Sequence, residues 1–181
     1  MTARAPPGIV WQGGGKAVLY AYNREAAVAY AHQWAFGRNP RYYDFERLGG
    51  DCTNFASQCL FAGCGVMNYK PVFGWYYRSA RDRAPAWTGV EFLHNFLARP
   101  ETSSGPAAVV SRELAMAQPG DVLQLRFDGS VFQHSPVVVE VRGTTANDIL
   151  VAAHSLDADF RPLSSYEYAE YRVLHIVGFY R

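Results

Sequence analysis

The chain is 181 residues long, 49% hydrophobic and 18% charged, with a net charge of +1 at neutral pH. Such a length fits one domain that buries its core without disulfide or metal staples. The near-even charge balance, with no basic run, argues against nucleic acid or anionic lipid as a partner, and no apolar run approaches a membrane span.

In chain order, residues 1–22 read as a tail or lead-in carrying Pro6-Pro7 and Gly13-Gly14-Gly15. They lack the continuous apolar core of a secretion signal, so the expectation is a cytoplasmic chain or one whose signal has been removed. Residues 23–181 read as a single domain. Asn23 is placed to cap a first helix, with Glu25 in its first turn and Ala26, Ala27, Tyr30, Ala31 and Trp34 at helical spacing before Gly37. After the loop NPRYYDFERLGGD, a second helix runs from about Cys52 to Ala62. Phe55, Cys59 and Ala62 form its stripe, and Gly63 and Gly65 supply the stop. An aromatic stretch without a period follows, and then Thr88 and Glu91 are spaced as a capping box ahead of FLHNFLA.

Past a Pro/Ser/Gly-rich loop, residues 121–127, 133–142, 149–153 and 173–180 are rich in β-branched and aromatic side chains and read as strands. DADFRPLSS reads as a loop between the last two. Helices first and strands later, joined by short turns, predict an α+β structure with an antiparallel sheet.

Three cysteines stand at 52, 59 and 64. The first two are about 10 Å apart along a helix, too far for a disulfide. All three are therefore expected to be free thiols, and Cys59 and Cys64, on the apolar stripe and at the helix stop, are expected to be structural. Cys52 follows Asp51 at a helix N-terminus, where unpaired N–H groups and the helix dipole lower a thiol's pKa and can hold an oxyanion. The alternative is a small buried hydrophobe.

A cysteine nucleophile needs a base and a group to orient it. His134 opens one strand and His154 closes the next, so antiparallel pairing predicts that they stand together. His134 is the candidate base and His154 the candidate orienter, with Asp157 as the alternative. Asp51 is a candidate for supporting the oxyanion site or its loop. Trp75, Tyr76, Tyr77 and Trp87 are candidates for a substrate groove or for ordinary core. Arg78, Arg81 and Arg83 are candidates for pairing with substrate carboxylates or for a solvated surface.

GGDCTNFASQCLFAG, the WYY…APAWTGVEFL segment, PGDVLQL, QHSPVVVEV and VAAHS together resemble the putative amidase domain family, related to NlpC-type and papain-like cysteine hydrolases. The resemblance implies a papain-like α+β fold in which the nucleophile helix packs on the sheet that presents the histidine. Cys52 is then the nucleophile, His134 the general base and His154 the third polar residue, acting on an amide, as in cell-wall peptides, with no cofactor or metal. Glu46 stands where a papain-type enzyme carries its oxyanion glutamine. Three alternatives stay open. They are a catalytically silent module that binds a peptide or glycan, an acyltransferase using the same dyad, and a zinc site built from Cys52, His134 and His154.

Overall fold

The computed structural model describes residues 17–99 and 102–181. Residues 1–16, the greater part of the expected lead-in, lie outside the described residues. The end of that lead-in docks on the domain: Tyr20 and Phe179 exchange backbone hydrogen bonds at 2.8 and 3.0 Å, and Tyr22 donates to the Gly120 carbonyl.

Helix α1 spans Arg24–Trp34, and the Asn23 side chain accepts from the Ala26 N–H at 3.0 Å, the expected cap. Helix α2 spans Cys52–Cys64 and closes on Gly65, whose φ of 65° is the left-handed turn that glycine tolerates best. Nearly every residue of α2 is buried, so it is a central core helix rather than an amphipathic surface one. Gly63 lets it approach Tyr22, because a Cβ there would meet that ring at 2.2 Å.

The aromatic stretch folds as a small hairpin of β1 (Tyr77–Ser79) and β2 (Asp82–Arg83), followed by α3 (Pro85–Thr88) and α4 (Val90–Leu97). The expected capping box does not form. Thr88 closes α3, and Gly89, without a side-chain cap, precedes α4. Glu91 turns away instead, accepting from the Phe132 N–H at 2.9 Å and from Arg172 at 2.8 Å. A charge-assisted bond to a buried guanidinium outcompetes a local cap.

The sheet is antiparallel and six-stranded, ordered β3-β8-β4-β5-β6-β7. Its strands are β3 (Gly105–Ser111), β4 (Val122–Arg126), β5 (Val137–Val141), β6 (Ile149–Ala153), β7 (Ala158–Pro162) and β8 (Glu170–Tyr180). β7 falls where a loop was expected, and β3 opens at the end of the expected Pro/Ser/Gly-rich loop, where no strand was predicted. The class is α+β, as the sequence predicts. One core lies between sheet and helices, with Phe55, Leu60, Trp75, Trp87, Val137 and Ala152 among its members. A second covers the opposite face and includes Leu125, Val138, Val151, Leu163 and Tyr166. No helix is long and apolar enough to cross a membrane, among the described residues.

Candidate active site

Phe45, the 3₁₀ turn Glu46–Leu48 and two glycines lead into α2. Gly49 and Gly50 both take φ of +105°, a conformation that bends the chain sharply into the helix and is open to few other residues. Asp51 ties the bend together. One carboxylate oxygen accepts from the Phe45 N–H at 2.9 Å and from the Asn54 amide at 2.8 Å. The other lies 2.6 Å from His154 Nδ1. Its backbone N–H donates to Ser155 Oγ, which in turn donates to Glu46. Asp51 thus supports the loop, through its side chain rather than by contact with a reacting atom.

Cys52 is 7% exposed and His134 6%, and what remains of each opens on one cavity of about 590 Å³. Gly50, Arg161, Tyr166 and Glu167 line the same cavity. The Cys52 sulfur takes backbone N–H bonds from Ser135 and Thr53, and Thr53 Oγ1 stands 3.8 Å from it. Thr53 in turn donates to Ser135 Oγ at 3.1 Å, and Gln124 reaches the same hydroxyl. Arg172 holds Gln124 at 2.7 Å and Glu91 at 2.8 Å. A buried polar chain therefore runs from the thiol to α4.

Burial changes the electrostatics that the sequence suggests. The Cys52 thiol is pushed up from its ordinary value, chiefly because the thiolate would be desolvated, with the Asp51 charge adding to it; the N–H bonds offset only part. The expected thiolate is thus not the resting form. Burial and then the Arg161 charge lower His134 to about 4, so at neutral pH the imidazole is uncharged. No hydrogen bond joins the two side chains at rest, among the described residues. Cys59 is pushed well up by complete burial and Cys64 to about 11, in keeping with structural thiols. All three cysteines are free.

The two histidines do not stand together. Val137 pairs with Ala152, and from there the two-residue alternation of strands sends them to opposite faces. His154 stacks on Phe55 at 4.1 Å, in the helix-side core, and its two ring nitrogens face Asp51 and the Trp34 carbonyl at 2.8 Å. His134 packs beside Phe127 and Tyr166. His154 therefore does not orient His134. Asp157 does not either, because both its oxygens are taken by Arg38 at 2.9 and 3.0 Å. Separating the histidines also removes the ligand set of a zinc site, and no group of three His, Cys, Asp or Glu is placed to hold a metal among the described residues.

Trp75 and Trp87 are core, not groove. Both are fully buried, their indole N–H groups donating to Ser57 and Asn54 of α2. Tyr77 takes the Tyr43 N–H, and Tyr76 packs on Tyr69; neither lines the Cys52 cavity. Arg78 pairs with Asp82, and Arg83 lies over Phe45. The residues that do line the cavity, Arg161 and Tyr166, sit in a segment without a periodic signal. Ser135, beside His134, had no signal beyond its position.

A match to the putative amidase domain family covers residues 21–177. The chain belongs to this family. An uncharacterized protein of Bacillus subtilis (strain 168), YhbB, is 33% identical to it over 145 residues, which cover 78% of this chain and 44% of YhbB. The chain thus spans less than half the length of that relative. No solved structure matches it. The family's description is of amidase-like hydrolases, and the cavity at α2 is the place to look for such chemistry.

Proposed function

We propose that the protein is a cysteine amidase of papain-like type, with Cys52 as nucleophile and His134 as general base. One observation carries the reading: a thiol at a helix N-terminus and an imidazole, each otherwise buried, open on the same cavity. In the resting enzyme both are neutral. As an amide carbonyl approaches, His134 takes the thiol proton while sulfur bonds to carbon, and backbone N–H groups at the start of α2 stabilise the oxyanion. The imidazolium then protonates the amine as the C–N bond breaks, leaving a thioester. Water attacks with its proton passing to His134, the acid departs and the thiol is restored. Asp51 and His154 position the loop that presents Cys52; they do not touch the reacting atoms. Residues 23–181 act as one domain in this reading. Amides of cell-wall peptides are the first substrates to screen.

The second reading is a catalytically silent peptide- or glycan-binding module, and the raised thiol favours it. Acyl transfer would use the same two residues with an amine or alcohol in place of water.

Amide cleavage by wild type, Cys52→Ala and His134→Ala, with residue-resolved iodoacetamide labelling across pH, separates these readings. Cleavage is expected to vanish in Cys52→Ala and to fall at least ~100-fold in His134→Ala. Labelling of Cys52 is expected to outrun that of Cys59 and Cys64 and to keep rising through alkaline pH. Cleavage unaffected by either substitution sinks the amidase mechanism. A Cys52 that labels no faster than the two core thiols gives the binding module the lead.

A further inference from the structure

The cavity holds a cation that the chemistry above does not use. Arg161 lines it from edge strand β7 and forms no ion pair, among the described residues. Its guanidinium is nevertheless held still. Nε donates to Ser165 Oγ at 2.7 Å, one Nη2 hydrogen goes to the Ser165 carbonyl at 3.1 Å, and the group lies 3.8 Å over the Tyr166 ring. Two of the five guanidinium hydrogens go to Ser165, which leaves the Nη1 side of the group turned to other acceptors among the described residues. The fork is pre-organised and unfilled.

A second polar group is unfilled at the same place. Tyr166 is 9% exposed and lines the cavity, and its hydroxyl has no well-aligned hydrogen bond among the described residues. Arg161 stacks over the ring and lies beside that oxygen, so guanidinium and hydroxyl face the cavity together, and the hydroxyl's own proton has no acceptor among the described residues. A buried hydroxyl without a protein partner is uncommon and marks a place suited to a polar ligand group. The field of Arg161 reaches His134, so a charge accepted here lies within reach of the proposed reaction centre. Among the described residues Glu167 is the one carboxylate lining the cavity; it is exposed and forms no ion pair with Arg161.

We propose that Arg161 and Tyr166 form a carboxylate subsite beside Cys52, so that the substrate is an amide carrying a nearby carboxylate, such as the chain end or an acidic residue of a peptide. The guanidinium receives the two carboxylate oxygens in its fork, and the Tyr166 hydroxyl gives one of them a further bond. Glu167 opposes this charge from the rim. The proposal rests on Cys52 being reachable from the cavity, and its substrate aspect rests on the amidase reading.

Two alkylating reagents of nearly equal size test it. Iodoacetate carries a carboxylate beside the reacting carbon, and iodoacetamide carries none. For Cys52 in the full chain, the rate ratio of iodoacetate to iodoacetamide is expected to exceed that of glutathione about tenfold, the effect of one charge-assisted contact. Arg161→Ala is expected to return the ratio to the glutathione value, Arg161→Lys to keep part of it, and Glu167→Gln to raise it. If Arg161→Ala slows both reagents alike, the arginine merely braces the Ser165 turn and the proposal fails. If Cys52 reacts with neither reagent, the nucleophile reading fails, and the subsite is decided by binding. Cys52→Ala protein is then titrated with N-acetylglycine and its uncharged amide while the Arg161 Nε–H resonance is followed. A shift with the acid alone upholds the subsite; no shift, or equal shifts, overturns it.

Discussion

Cys52 and His134 show two effects of opposite sign at one site. A helix N-terminus and two backbone N–H groups favour the thiolate, yet burial outweighs them and holds the proton on sulfur. Burial disfavours the charged form of His134 as well, which is why a pair that looks ready-ionised in the sequence rests neutral. The cost has a consequence for stability. An unfolded imidazole ionises near pH ~6.5, whereas His134 in the folded chain waits until about 4. Between those values the unfolded chain binds a proton that the native chain refuses. The stabilisation is fully present above the unfolded value and is lost as pH falls toward the folded one, by up to ~3 kcal/mol. Carboxylates elsewhere lose stability over the same window, so the difference between proteins is the useful quantity. In urea titrations, His134→Gln is expected to lose less stability than wild type between neutral pH and about pH 4. Parallel losses in the two proteins would mean that His134 titrates normally in the folded state.

At the scale of elements, the approach to α2 is fixed by one side chain. Asp51 joins the 3₁₀ turn through Phe45, the helix through Asn54 and the end of β6 through His154. Removing it leaves the buried His154 Nδ1, the Phe45 N–H and the Asn54 amide without their shared partner, so Asp51→Ala is expected to destabilise by about 3 kcal/mol or more. Once His154 is already alanine the same change is expected to cost distinctly less, and a double-mutant cycle by chemical denaturation reads the coupling. Additive losses would show that the 2.6 Å contact contributes little. None of this was visible as spacing in the sequence, where Asp51 and His154 are 103 residues apart. What was legible was local: the Asn23 cap, the glycine stop after α2, and β6, whose apolar run carries its own boundaries. What was not legible depended on distant partners. Thr88 and Glu91 have the spacing of a capping box, but Arg172 in β8 claims the glutamate. β3 pairs along its length with β8 despite opening on Gly105-Pro106, and β7 is an edge strand with one buried residue, Ala158, held by its pairing with β6 within what reads as a polar loop. The pairing of His134 with His154 failed for a similar reason: adjacent strand ends set backbone proximity, while alternation sets the face.

Across the whole molecule, the candidate site is assembled from both sides of one sheet. The helix side supplies Cys52 and its loop. The other face supplies Tyr166, beside which His134 packs. Tyr166 arrives there because β7 lies at one edge of the sheet and β8 near the other, between β3 and β4, so the segment joining them crosses the second face. Leu163 anchors that crossing. It is fully buried in the second core, two residues from Arg161 and three from Tyr166. Leu97, at the end of α4, is equally buried in the first core. Truncation of either to alanine is expected to cost ~2–5 kcal/mol, since each leaves a cavity in packed surroundings. Their effects on the site should part company. Leu163→Ala loosens the segment that holds Arg161 and Tyr166 and is expected to lower the preference of Cys52 for iodoacetate over iodoacetamide, whereas Leu97→Ala leaves that preference as in wild type. Urea unfolding matches the two variants in stability, and the alkylation ratio under fully native conditions compares their sites. A ratio that falls equally in both would mean that the cavity responds to global stability; a fall confined to Leu163→Ala ties the site to the crossing segment on the second face.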